Sequence, residues 1–211
     1  MSLLTEMSEA LQKGKAKEVE EMAKKAMDEG IGGKQILNEG LMSGMAIIGE
    51  KFKKNEVYVP EVLIAARAMN AGIAVIKPTL QEGDNESKGK VVLGTVKGDL
   101  HDIGKNLVRI MMEGKGLEVV DLGIDTPAEK FIEEAQNNNA QIIACSALLT
   151  TTMTEMENVV KASKEAGIGD KVKVMIGGAP VTDNYKESIG ADVYAPDAAS
   201  AADAAIAACE K

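Results

Sequence analysis

Residues 90–106 read KVVLGTVKGDLHDIGKN, and the first seven, Lys90–Val96, form a short apolar run that predicts a β-strand. The run stops at a loop, Gly98–Asn106, in which two glycines and two carboxylates surround His101, and from Ile103 the pattern turns helical. His101 is the only histidine in the chain. An imidazole placed directly after an apolar run, between Asp99 and Asp102, sits where ligation or proton transfer is feasible. Strand, glycine-bearing loop and helix in that order open an α/β unit, so this stretch decides the fold class.

Toward the C-terminus the same grammar repeats. Short apolar runs at 117–122, 141–146, 171–176 and 191–195 predict four more strands, and helical stretches near 103–113, 127–137, 152–166, 181–188 and 198–208 alternate with them. The runs at 141–146 and 171–176 are nearly all apolar, as strands buried on both faces require. This alternation predicts a doubly wound parallel sheet of Rossmann or flavodoxin type over residues 90–211, with helices on both faces. Ligands of such sheets bind beyond the carboxyl ends of the strands. Three loops belong there: Gly98–Asn106, Ser146–Thr152 and Gly177–Pro180.

Toward the N-terminus the period changes. Val19, Met22, Ala23, Ala26 and Met27, then Ile36, Leu37, Leu41, Met45 and Ile48, then Val62, Leu63, Ala66, Met69, Ile73 and Val75 recur at helical steps. With an amphipathic Leu3–Leu11, and with Pro60 opening the last long helix, they predict a four-helix bundle over residues 1–80. Residues 81–89, QEGDNESKG, are polar and turn-rich without apolar periodicity, and read as a domain linker.

A length of 211 residues suits two modest domains. With 33 acidic against 24 basic residues, a net charge of −9 and no Lys/Arg-rich block, the chain would repel a phosphate backbone, and no nucleic-acid partner is expected. Aromatic residues make up 2% and Trp is absent, which removes the platforms on which single-stranded bases stack. No run of 18 apolar residues is uninterrupted and the first residues lack a basic flank, so the expectation is a cytoplasmic protein with no membrane partner. Cys145 and Cys209 lie 64 positions apart and fit reduced thiols better than a disulfide framework.

Each loop has an ordinary structural explanation when taken singly. Gly177–Gly178 serves a tight turn, Ser146 caps the following segment, and a lone histidine satisfies a surface hydrogen bond. Together they say more. Asp99, two residues before His101, can take one ring N–H and leave the opposite nitrogen free as a ligand. A second His and a Cys cluster are absent, so a metal bound by His101 would arrive inside a cofactor.

Asp99-x-His101-x-x-Gly104, 41 residues, Ser146-x-Leu148, 28 residues and Gly177–Gly178 resemble the three-part signature of cobalamin-binding domains of the methionine synthase class. A helical bundle ahead of it, with Tyr58-Val-Pro60-Glu opening the last long helix, is similar to the cap domain of that class, so the resemblance covers nearly the whole chain. Among stand-alone proteins of this size it resembles the corrinoid proteins of methanol, methylamine, glycine betaine and aryl methyl ether methyltransferase systems. The resemblance implies that His101 supplies the lower axial nitrogen to the cobalt of cobalamin, that Asp99 accepts its other N–H, and that Ser146 extends this chain. Gly98, Leu100, Asp102 and Ile103 would bind the cofactor around the histidine, and Lys105 and Asn106 would orient polar groups of the corrin. Gly104, Gly177 and Gly178 would leave room for the nucleotide tail, with Leu148, Thr150, Ala179 and Thr182 along its channel. Tyr58 and Val59, with Leu63 and Ala68, would face the corrin from the cap. Proline at position 180 departs from the hydroxyl residue that often follows the glycine pair.

The function implied is a methyl carrier, alternating between cob(I)alamin and methylcob(III)alamin. A substrate-specific methyltransferase would load it, a second one would pass the methyl group to tetrahydrofolate or a similar acceptor, and a separate reductive activator would restore oxidised cofactor. The chain would be a subunit of a methyltransferase system, not a complete enzyme. Rival readings are an adenosylcobalamin-dependent mutase subunit, which leaves residues 1–80 unexplained, a cobalamin sensor, which would usually add a DNA-binding domain for which neither spare length nor basic charge is available, and a phosphate-binding flavodoxin-like domain, which leaves Asp99, His101 and Ser146 as coincidence.

Overall fold

In the computed structural model, which describes residues 2–80 and 87–210, the chain divides into two units, Met1–Glu86 and Ser87–Lys211. Most of the expected linker, residues 81–86, lies outside the described residues. Its last three residues belong to the second unit: Lys88 N–H donates to Gly116 O, and the Ser87 hydroxyl accepts from Glu118 N–H at 3.0 Å.

The first unit is helical. It comprises α1 (Leu3–Gln12), α2 (Ala16–Asp28), α3 (Gly33–Gln35), a π-helical segment (Ile36–Met42), α4 (Ser43–Lys53), α5 (Val59–Ile76) and a closing 3-10 turn (Lys77–Thr79). The Ser2 hydroxyl accepts from Thr5 N–H at the start of α1, and Pro60 in the first turn of α5 is joined by Glu61, whose carboxylate accepts from Tyr58 N–H at 3.0 Å. Met7, Leu11, Val19, Ile36, Leu41, Ile48, Val62 and Ile76 are fully or almost fully buried and form the bundle core. Along the third long helix the buried residues Ile36, Gly40, Gly44 and Ile48 recur every fourth position. That repeat is longer than the 3.6 residues of an α-turn, and the wide π turn takes up the excess. The stretch Val59–Thr79, with a mean hydropathy of 1.5, is long and apolar enough by composition to cross a membrane. Its Val62, Ala65, Ala68, Met69, Gly72 and Ile76 are buried within this unit, as in the central helix of a bundle.

The second unit is a five-stranded parallel sheet of order β2-β1-β3-β4-β5, made of β1 (Lys90–Thr95), β2 (Glu118–Asp121), β3 (Ile142–Ser146), β4 (Lys173–Gly177) and β5 (Val193–Ala195). The connecting helices are α6 (Ile103–Gly114), α7 (Ala128–Asn137), α8 (Thr154–Glu165) and α9 (Asp183–Ile189), and α10 (Ala198–Cys209) closes the chain. On one face, Val92, Ile143, Cys145, Val174 and Ile176 pack with Phe131, Ile132 and Ala135 of α7 and Met156, Val159 and Val160 of α8. The alternate strand residues point to the opposite face, where α6 and α10 pack. This is the doubly wound arrangement anticipated from alternating apolar runs.

Phe131 is fully buried, and its ring lies so close to β1 that a Cβ at Gly94 would stand 2.8 Å from Cζ. Replacing Phe131 with Ala should therefore lower the stability of the sheet unit by about 3–5 kcal/mol. Urea unfolding followed by tyrosine fluorescence checks this, because Tyr185 and Tyr194 both pack against the same core.

Candidate functional site

Register levels the carboxyl edge of the sheet. Thr95, Ser146, Gly177 and Ala195 are successive partners across β1, β3, β4 and β5. The loops leaving this row start from one line, so residues far apart in sequence arrive together.

Asp99 is where they meet. Its side chain is fully buried (0% exposed), yet both carboxylate oxygens are occupied. Oδ1 accepts from His101 Nδ1 at 2.7 Å and from His101 N–H at 3.1 Å. Oδ2 accepts from Leu148 N–H at 2.8 Å, Leu149 N–H at 3.2 Å and the Thr152 hydroxyl at 2.8 Å. Burial by itself would push this carboxyl up, but the bonds from Leu148, His101 and Thr152 hold it well below the usual carboxylate range. An ionised Asp99 accepts only, so Nδ1 of His101 is the donor in this bond, and in the neutral imidazole the lone pair is then on Nε2. With its side chain 50% exposed, His101 presents a ring anchored at Nδ1, with no hydrogen-bond partner for Nε2 among the described residues.

Around it stand apolar side chains that water would not favour. Leu100, Ile103, Ile124, Leu148 and Leu149 are all exposed, Ile103 to 75%, and they lie on or just after the loops following β1, β2 and β3. Five large apolar side chains exposed at one edge mark a binding surface. Gly104 adds to it, since a Cβ there would meet nothing within 4 Å.

Several expected roles change. The chain from His101 through Asp99 runs to Thr152, not to Ser146: β3 ends at Ser146, whose carbonyl is taken by Val96 N–H, and the following loop folds back to bring its own N–H groups and the Thr152 hydroxyl onto Asp99. The Thr150–Thr152 run carried this signal, though as sequence it reads as a helix start. Lys105 is unavailable to a ligand. Its side chain is 3% exposed and its ammonium sits 2.6 and 2.7 Å from the two oxygens of Asp121, with Asn106 Oδ1 at 2.9 Å. Gly178 is glycine for the backbone's own sake: at φ +137 a Cβ would lie 1.9 Å from the Ala147 carbonyl oxygen. The carboxylate of Asp102 takes the Asn106 amide at 3.1 Å, and the Thr182 hydroxyl caps α9 by accepting from Tyr185 N–H. Gly98, Thr150 and Ala179 are exposed and Gly177 is half-buried at this edge. In the helical unit Tyr58 and Leu63 are exposed and Val59 is half-buried, whereas Ala68 is fully buried and faces the bundle core.

The imidazole nitrogen suits a cobalt ion carried in by a flat, largely apolar macrocycle, and the open space at Gly104 suits an appended tail; among the described residues no cluster of His, Cys, Asp or Glu could hold a bare metal ion. Comparison with known proteins agrees. Two family models, each described as "B12 binding domain", match residues 89–206 and 3–77. A trimethylamine corrinoid protein of Methanosarcina acetivorans is 46% identical over 84% of this chain and 83% of its own length. A corrinoid protein of Desulfitobacterium hafniense is 40% identical over 97% and 96%. Among solved structures, the methanol:cobalamin methyltransferase complex of Methanosarcina barkeri matches with a TM-score of 0.85 at 32% identity, covering 97% of this chain and 80% of that one.

Removing Asp99 leaves buried donors without an acceptor, so Asp99→Ala should cost about 2–4 kcal/mol in the cofactor-free protein. Because the folded value is depressed, the ionised group stabilises fully above its unfolded value of about 4 and loses that contribution as pH falls through the lower folded value. Unfolding measured from pH 7 down to pH 2 should show an acid limb below about pH 4 that is shallower in Asp99→Asn.

Proposed function

The chain belongs to the corrinoid-protein family built on B12 binding domains, with cobalamin as its cofactor, and we propose that it carries a methyl group on cobalt between two methyltransferases. The observation that carries this reading is the free Nε2 of His101, opposite an Nδ1 tied to the buried Asp99. When bound, cobalamin supplies a metal that takes up a methyl group from one partner and gives it to another.

The chain's own residues have separable tasks. His101 would hold the cobalt of the cofactor through its Nε2 lone pair. Asp99, ionised and fully hydrogen-bonded, fixes the tautomer and strengthens the imidazole as a donor. Thr152 holds one proton between two acceptors, Asp99 Oδ2 at 2.8 Å and Leu149 O at 2.9 Å, so its hydroxyl can turn as the demand on the histidine changes. Leu100, Ile103, Leu148 and Leu149 exclude water from the face that surrounds the imidazole. Tyr58 and Leu63 of the helical unit are exposed apolar side chains.

The names of the relatives support a methylamine or methanol as the methyl source. Tetrahydrofolate or a relative such as coenzyme M would accept the group, and a reductive activator would rescue oxidised cofactor. These partners, and residence in the cytoplasm, belong to the proposal.

The test is electron paramagnetic resonance of protein made with nitrogen-15 histidine and loaded with ordinary cobalamin in its cobalt(II) form. A two-line nitrogen splitting supports His101 as ligand; a three-line splitting means that the cofactor kept its own base. His101→Ala should lose the two-line pattern and bind cobalamin at least about tenfold more weakly. Unchanged affinity and spectrum in this variant would sink the assignment.

A further inference from the structure

The position of His101 is set by more than Asp99. Thr95, the last residue of β1, is fully buried, and its hydroxyl donates to the His101 carbonyl at 2.8 Å, six residues along the chain. The backbone of Thr95 is itself locked, its N–H on Gly123 O and its carbonyl under Thr126 N–H, both at 2.9 Å. A second grip comes from the loop after β2. Asp125 stands at φ +51, in the left-handed region, and from there its N–H donates to Asp99 O at 3.0 Å while its Oδ1 accepts from Gly98 N–H at 2.7 Å. All three bonds end on main-chain groups of the 98–101 loop, so none is explained by the loop's own side chains.

We propose that Thr95 and Asp125 are positioning residues for His101, fixing the backbone from which its imidazole reaches the cofactor. The inference rests on His101 being the lower ligand. Asp99 controls the tautomer and the ring's tilt and is itself tied to the loop after β3, but its side-chain bonds do not reach the His101 carbonyl or the Gly98 N–H. Thr95 pins the C-terminal side of the histidine to β1, and Asp125 pins the Gly98–Asp99 backbone to the β2–α7 loop. A ligand bond is sensitive to such placement, because small displacements cost more than the bonds that prevent them. Left-handed φ explains the residue type at 125: Asp and Asn tolerate that region, and both offer a side-chain oxygen to Gly98.

Four variants of the full chain test this: Thr95→Val, which removes the hydroxyl and keeps the shape; Thr95→Ser, which restores it; Asp125→Ala; and Asp125→Asn. Because the chain has one histidine, nitrogen-15 histidine gives a single imidazole signal set by NMR without cofactor, and one nitrogen splitting with cobalt(II) cobalamin. Thr95→Val and Asp125→Ala should shift or broaden the imidazole signals, reduce the nitrogen splitting and weaken cobalamin binding by about fivefold each, the worth of a hydrogen bond. Thr95→Ser and Asp125→Asn should stay within about twofold of the parent. If Thr95→Val and Asp125→Ala melt at lower temperature yet keep the parental imidazole signals and splitting, the bonds serve the fold alone and the proposal is overturned. A three-line splitting in the parent protein overturns instead the assignment of His101 as ligand, and with it any positioning for ligation.

Discussion

Burying a carboxylate costs several kcal/mol unless its charge is met by donors, and at Asp99 that cost is met by a set of groups that have no other reason to converge. Two come from the residue two positions along, and three come from a loop 49 to 53 residues away. The arrangement is self-enforcing: the charge organises the loops, and the loops make the charge tolerable. Because Asp99 then remains an anion, it can only accept, and Nδ1 of the neighbouring imidazole is the donor. Tautomer, ring orientation and loop structure are thus one physical fact seen from three sides.

The sheet makes the convergence feasible. Parallel strands put all their carboxyl ends on one side, and the row Thr95, Ser146, Gly177, Ala195 shows how closely they are levelled. Side chains that project beyond this row are free of the packing demands below it. That freedom is why exposed Leu100, Ile103, Ile124, Leu148 and Leu149 can serve a ligand while Val92, Ile143 and Val174 serve the core.

The fold was legible because its signals are periodic: near-continuous apolar runs become β3 and β4, and three- and four-residue steps become the helices of the first unit. The site was legible where a residue's chemistry is rare in this chain, as with His101. It was illegible where two residues offer the same chemistry and only loop conformation chooses between them. Ser146 and Thr152 each bring a hydroxyl to the same loop, and the fold-back after β3 selects Thr152. Lys105 looks like a ligand-facing cation in sequence, but its partner Asp121 lies at the end of β2, 16 residues on. Ala68 follows the helical period as well on the outside of α5 as on the inside, and an alanine carries too little apolar surface to decide. Thr95 and Asp125 gave no motif at all, since their contacts are to backbone.

The π-helical segment Ile36–Met42 has a bearing on how this chain can change over evolutionary time. A wide turn holds more residues than the α-helix around it needs, so it behaves as an expansion joint. A residue lost within it can be absorbed as the wide turn relaxes to an α-turn. One gained or lost within α4 would instead rotate every later position of that helix by about 100° and carry Met45 and Ile48 out of the core. The seven residues Ile36–Met42 are therefore where this helix tolerates the loss of a residue with the least disturbance to the core.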